Sequence, residues 1–129
     1  MIISLQAILE IADSKNMAIA AFNVTSMEGI QAALEAAEEL DQPVILQFSN
    51  TNHGSYVPMD VIGPVMVELS KRASIPVCVH LDHGSYEACL KCVEAGFSSI
   101  MFDGSHYPID ENVTKTTELV KIAHDKGMS

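Results

Sequence analysis

Asp82 and His83 stand side by side in His80-Leu81-Asp82-His83-Gly84-Ser85, where the apolar run Ile75-Pro76-Val77-Cys78-Val79 gives out. A carboxylate can move a proton, and an imidazole can bind a divalent metal such as zinc. A hydrophobic strand ending in such groups is how α/β enzymes present metal ligands and acid–base residues to a substrate. The plainer alternative is that Asp82 caps the following helix and His83 is a polar loop residue. His80 lies two residues before Asp82 and so shares its face. It suits a core position, or one that orients a neighbour, better than a ligand position. Asp103 opens Asp103-Gly104-Ser105-His106. It could contact the same metal or a second cation, with Ser105 and His106 lining the rim, or simply form a turn that uses Asp and Gly. Asn23 and Ser49, taken singly, are cap or turn formers, but both fall at the ends of apolar runs.

The elements that must position these residues follow a repeated β-then-α pattern. Leu5, Ile8, Leu9 and Ala12 predict a leading helix. A strand over Ala18–Phe22 ends at Asn23, and Thr25 with Glu28 has the spacing of a capping box before the stripe Ile30, Ala33, Leu34, Ala37. Pro43–Phe48 is a strand ending at Ser49, and a polar loop runs from Asn50 to Tyr56. Ile62, Val65, Met66 and Leu69 mark the next helix, with Pro64 expected in its first turn. Pro76–Leu81 is a strand ending at Asp82. Tyr86, Cys89, Leu90 and Val93 define a helix that Gly96 stops. Ser98–Phe102 is a strand ending at Asp103. Asp110 or Glu111 opens a last helix, with Val113, Thr117, Val120 and Ala123 on one face and Gly127 closing it.

Nearly continuous apolar strands signal a parallel sheet covered by helices. Polar residues at all four strand ends favour the first half of a (β/α)8 barrel, which takes ~250 residues in full, over an open doubly wound sheet with a single switch point. No Gly-x-Gly-x-x-Gly pattern and no P-loop occurs. The expected organisation is one unit, residues 1–129, forming the N-terminal half of a single barrel domain.

Composition narrows the function. The hydrophobic fraction of 48% is ample for a core, and the net charge of −10 argues against nucleic acid or an anionic membrane surface as partner. A phosphorylated small substrate remains compatible, because backbone N–H groups and helix N-termini bind phosphate without basic side chains. The N-terminal residues lack a basic region before an apolar stretch, no run spans a membrane, and three cysteines suit a reducing compartment, so a cytoplasmic location is expected. Cys89-x-x-Cys92 has no second pair to complete a zinc site and is read, with Cys78, as core. His53 and His124 suit solvated or capping roles.

Ala21-Phe22-Asn23-Val24, Pro43-Val44-Ile45-Leu46-Gln47-Phe48-Ser49, His80-Leu81-Asp82-His83-Gly84 and Gly96–His106, followed by Glu111-Asn112-Val113 and the Thr114–Thr117 stretch, resemble the class II (metal-dependent) ketose-bisphosphate aldolases. The resemblance covers essentially the whole chain in order. It implies a (β/α)8 barrel that reversibly cleaves fructose 1,6-bisphosphate or tagatose 1,6-bisphosphate into dihydroxyacetone phosphate and glyceraldehyde 3-phosphate. By analogy, His83 is a ligand of the catalytic zinc and Asp82 the proton-transfer residue. Asn23 holds the enediolate, Ser49 contacts a substrate phosphate, and Asp103 sits near an alternative metal position. A monovalent cation and a homo-oligomer are also implied. The remaining zinc histidines, the glycine-rich phosphate loops and the cation site of that family correspond to positions beyond 129. The chain departs from the family in Asn50–Tyr56, where a small glycine/alanine turn is commoner, and this loop is expected to affect substrate choice.

Two other readings compete. One is a non-catalytic half barrel that self-assembles through its open edges. The other, a metal-dependent barrel hydrolase, would need more histidines at strand ends. No lysine falls at a predicted strand end, which disfavours an iminium mechanism.

Overall fold

A computed structural model of the chain describes residues 1–49 and 57–129. The predicted loop over Asn50–Tyr56, with His53, lies outside the described residues. Among the described residues nine elements alternate: α1 (Leu5–Lys15), β1 (Ala21–Asn23), α2 (Met27–Glu39), β2 (Val44–Ser49), α3 (Met59–Arg72), β3 (Val77–Gly84), α4 (Tyr86–Ala95), β4 (Ser99–Phe102) and α5 (Ile109–Asp125). The four strands form one parallel sheet in chain order, β1-β2-β3-β4. A doubly wound sheet would reverse direction at a switch point. Consecutive order with a helix after each strand is the α/β half-barrel that the strand ends predict.

The two faces of the sheet divide the apolar residues by alternation. Val44, Leu46, Phe48, Val77, Val79 and Leu81 pack outward into the main core with Ile30 and Leu34 of α2, Met66 of α3 and Cys89 of α4. Each such side chain, fully buried, contributes about 1.5–3 kcal/mol relative to exposure. The intervening residues Ile45 and Cys78 face the other way and meet Ile8 of α1 in a second, smaller cluster. Thus α1 covers the base of the inner face, and the upper inner face is left to polar residues.

Several predicted details differ in the structure. β1 is only three residues long and begins at Ala21, not Ala18. The cap of α2 is Ser26, whose hydroxyl accepts the Gly29 N–H, so the capping residue is one beyond the predicted Thr25. Pro64 lies in the second turn of α3. Its missing N–H leaves the Asp60 carbonyl without a helical donor, and the site tolerates this because Asp60 and Pro64 are both exposed. α5 starts at Ile109, directly after Pro108, and buries Leu119 and Ala123. Val113, Thr117 and Val120 do share one face, but it is exposed: Val113 is 60% and Val120 45% exposed, while Ala123 is buried.

Candidate active site at the C-terminal strand ends

Parallel pairing brings the strand ends to one side. In register, Asn23 stands beside Gln47, Gln47 beside His80, and His80 beside Ser99. One residue-pair further along, Ser49 stands beside Asp82. These positions alternate with the outward core residues, so they belong to the inner face. Asn23 is exposed, Gln47, His80 and Asp82 are half-buried, and Ser49 and Ser99 are buried. The structure therefore brings Asn23, Ser49 and Asp82 together at one end of the sheet, and His83 and Asp103 complete the group. Gln47 and Ser99 were not singled out from the sequence. The signal was their even spacing from the polar strand ends, Gln47 two residues before Ser49 and Ser99 four before Asp103, within otherwise apolar runs.

His83 is where local backbone overrides strand periodicity. Simple alternation would send it outward, away from Asp82. Instead its φ is +50°, in the left-handed region, and β3 carries one extra residue against β4 between Leu81 and Gly84. Such a bulge re-aims a side chain, and a non-glycine residue held in this conformation costs of order 1–3 kcal/mol. The result is that His83 Nδ1 lies 2.9 Å from Asp103 Oδ2, while Nε2 lies 3.8 Å from Asp82 Oδ1. Gly84 makes the bulge possible: a Cβ there would collide with the Leu81 side chain and press on Cys89 Sγ. Capping of α4 falls to Ser85, which accepts the Ala88 N–H. Asp82 is thereby not the cap, and its carboxylate is left at the inner rim.

Asp103 is held from several sides. Its backbone N–H donates to Gly84 O at 2.9 Å. Its Oδ1 accepts from the Ser105 N–H at 3.1 Å and the Ser105 hydroxyl at 2.6 Å. Ser105 first, then His83, hold the Asp103 carboxyl far below the usual carboxylate range. The Asp103 hydrogen bond, with the Asp82 charge behind it, raises His83 above an ordinary imidazole. His80 moves the opposite way: burial lowers it, and its Nδ1 is 2.9 Å from Ser99 Oγ. The loop after Asp103 is fixed by aromatic packing. Phe102 meets Tyr86 edge-on and stacks with Tyr107, and Lys115 Nζ sits 5.1 Å from both tyrosine rings.

The chemistry available is the Asp82 carboxylate next to an imidazole whose Nε2, at 3.8 Å from Oδ1, makes no hydrogen bond among the described residues. His83 fits a single metal ligand. Among the described residues no group of three or more His, Cys, Asp or Glu could hold a metal ion. The three cysteines are free and buried, and burial pushes Cys78 up to about 11 and both Cys89 and Cys92 up to about 12, so they are inert core residues. All six lysines lie on helices or directly after α5. A cleft of about 740 Å³ lies between α1 and the residues after α5, at the opposite end of the strands, and holds none of these groups.

Residues 3–129 match the family model for class-II fructose-bisphosphate aldolase. A fructose-bisphosphate aldolase from Streptococcus pyogenes serotype M3 is 44% identical over 131 residues, a match covering 99% of this chain and 44% of that protein. One from Streptococcus pneumoniae serotype 4 is 40% identical, with 99% and 44% covered. Among solved structures, the YdjI aldolase from Escherichia coli K12 superposes with a TM-score of 0.88 at 32% identity, covering 99% of this chain and 49% of that one. The aldolase Fba from Campylobacter jejuni gives 0.75 at 27% identity, covering 99% and 45%. The chain thus spans a little under half the length of these curated relatives.

Proposed function

Since the chain belongs to the class-II fructose-bisphosphate aldolase family, we propose that its protein reversibly cleaves a phosphorylated ketose, fructose 1,6-bisphosphate or its tagatose epimer, into dihydroxyacetone phosphate and glyceraldehyde 3-phosphate. On this reading residues 1–129 are the N-terminal half of one barrel domain. The observation that carries the proposal is the pairing of Asp82 with His83 at the end of β3, where a left-handed His83 and an extra residue in the strand bring the two together.

Asp82 is the base that takes the proton from the C4 hydroxyl as the C3–C4 bond breaks, and the acid that returns it in condensation. Its position supports this: half-buried at the inner rim, beside Ser49 and not used as a helix cap. His83 provides Nε2 to a zinc ion. When bound, zinc acts as a Lewis acid on the ketose oxygens and stabilises charge left by bond cleavage. The ligands that complete its shell are assigned to the part of the barrel that the longer relatives possess and this chain does not span. Asn23 donates to the enediolate oxygen, and Ser49 contacts a phosphate. Among the described residues no lysine stands at a strand end, which disfavours an iminium route.

The test is aldol cleavage of both bisphosphates, followed by triose phosphate release. Asp82→Asn should lower turnover by about 10²–10⁴-fold, the usual worth of a positioned acid–base group, with little change in the amount of folded protein. Chelation should abolish activity and zinc should restore it. Normal turnover by Asp82→Asn would remove Asp82 from the mechanism.

A further inference from the structure

Lys115 projects from α5 with its ammonium 5.1 Å from the ring centres of both Tyr86 and Tyr107. A cation at that distance over a ring face is drawn to it, more strongly where water is partly excluded. Lys115 and both tyrosines are half-buried. The neighbouring contacts come from the same stripe of α5, at helical spacing. Glu111 Oε1 lies 3.7 Å from Lys115 Nζ, and Glu118 Oε2 accepts the Tyr86 hydroxyl at 3.0 Å. The two tyrosines belong to different segments of the rim. Tyr86 opens α4, two residues after Gly84 and the bulge that turns His83. Tyr107 closes the turn that follows β4, its N–H donating to Gly104 O at 3.0 Å. Backbone pairing of β3 with β4 reaches the bond from Asp103 N–H to Gly84 O. Past that point the aromatic rings and Lys115 join the two segments. A leucine at 115 would fill the same space, but only a cation is drawn to two ring faces at once.

We propose that Lys115 is a positioning residue: its ammonium clamps the β3–α4 junction to the β4–α5 loop, and so holds steady the rim on which Asp82 and His83 stand. It acts through the backbone of these two segments. Small displacements of a reacting group are expensive, a shift of 1 Å costing up to about 10²-fold in rate. The consequence for catalysis rests on the function proposed above, whereas the clamp itself does not.

The experiment is NMR on protein labelled at lysine side chains and backbone amides, with Lys115→Arg identifying the Lys115 signals. The ε-methylene protons of Lys115 should lie upfield of those of an exposed lysine, shifted by two ring currents. Tyr86→Leu and Tyr107→Leu should each remove part of that shift. Lys115→Met keeps the length of the stem and drops the charge. Amide relaxation should then show greater motion both in Gly84–Tyr86 and in Gly104–Tyr107, and Lys115→Arg should restore the native rigidity. Amide spectra of the remaining residues report that the fold is intact. An ordinary lysine shift, or segments as rigid in Lys115→Met as in the native protein, would overturn the clamp. Bisphosphate cleavage is then measured. Lys115→Met should lower kcat by up to about 10²-fold with KM and melting temperature nearly unchanged, and Lys115→Arg should recover most of the loss. Loosened segments with native kcat, or a fall in melting temperature alone, would overturn the positioning role. No cleavage by the native protein, with the shift and relaxation as expected, would remove the proposed function and leave the clamp standing.

Discussion

At the scale of single residues, the site depends on a backbone departure that residue types alone do not reveal. The sequence places Asp82 and His83 next to each other, and alternation along a strand would then separate them onto opposite faces. Their convergence requires the left-handed His83 and the extra residue in β3. Gly84 is the enabling position. Gly84→Ala should destabilise the protein by about 1–3 kcal/mol, because the new methyl group must displace the fully buried Leu81. Chemical denaturation checks this. An unchanged midpoint would mean that Leu81 has room to move, and that the bulge does not need glycine. Asn23, Ser49, Asp82, His83 and Asp103 were all legible in the sequence as polar ends of apolar runs. The contact between His83 and Asp103 was not, because it joins residues twenty apart through a bulge.

At the scale of elements, order and type were readable because each strand is an apolar run and each helix has a 3.6-residue stripe. Boundaries were less so where a single residue decides them, as with Ser26 in place of Thr25. One link between elements was invisible in the sequence. Glu38, near the end of α2, accepts the Ser74 N–H at 2.6 Å and the Ser74 hydroxyl at 2.9 Å, pinning α2 to the turn between α3 and β3. The Ser74 N–H, then its hydroxyl, hold the Glu38 carboxyl below its ordinary value of 4.5. A group with a depressed folded-state pKa stabilises the fold above its unfolded value, and that contribution is lost as pH falls through the folded one. Glu38→Gln should therefore flatten the acid dependence of stability as pH falls below the ordinary value of 4.5. Melting curves across that range should converge for the two proteins at the acid end. Parallel curves would show that the link carries no linked proton.

At the scale of the whole molecule, the sheet has one open side at each margin. β1 pairs with β2 alone among the described strands, and its three residues are exposed. Phe22 and Met101, on β1 and β4, are 47% and 38% exposed. Beyond β4, Ser129 already exchanges backbone hydrogen bonds with Ser98 and Ile100, as a further parallel strand would. A polypeptide made of these 129 residues alone should thus associate at micromolar concentration, more strongly at high salt, where screening weakens the repulsion of a net charge of −10. Light scattering coupled to size exclusion checks this, and a monodisperse monomer under all salt conditions would show that the margins are self-sufficient. The order of the strands has a kinetic consequence as well. Each strand hydrogen-bonds to the one synthesised just before it. A chain leaving the ribosome therefore always finds its template already made, with β1 and β2 able to close over α2 before β3 exists. A pause in translation then yields a narrower sheet of correct pairing, not a mispaired one.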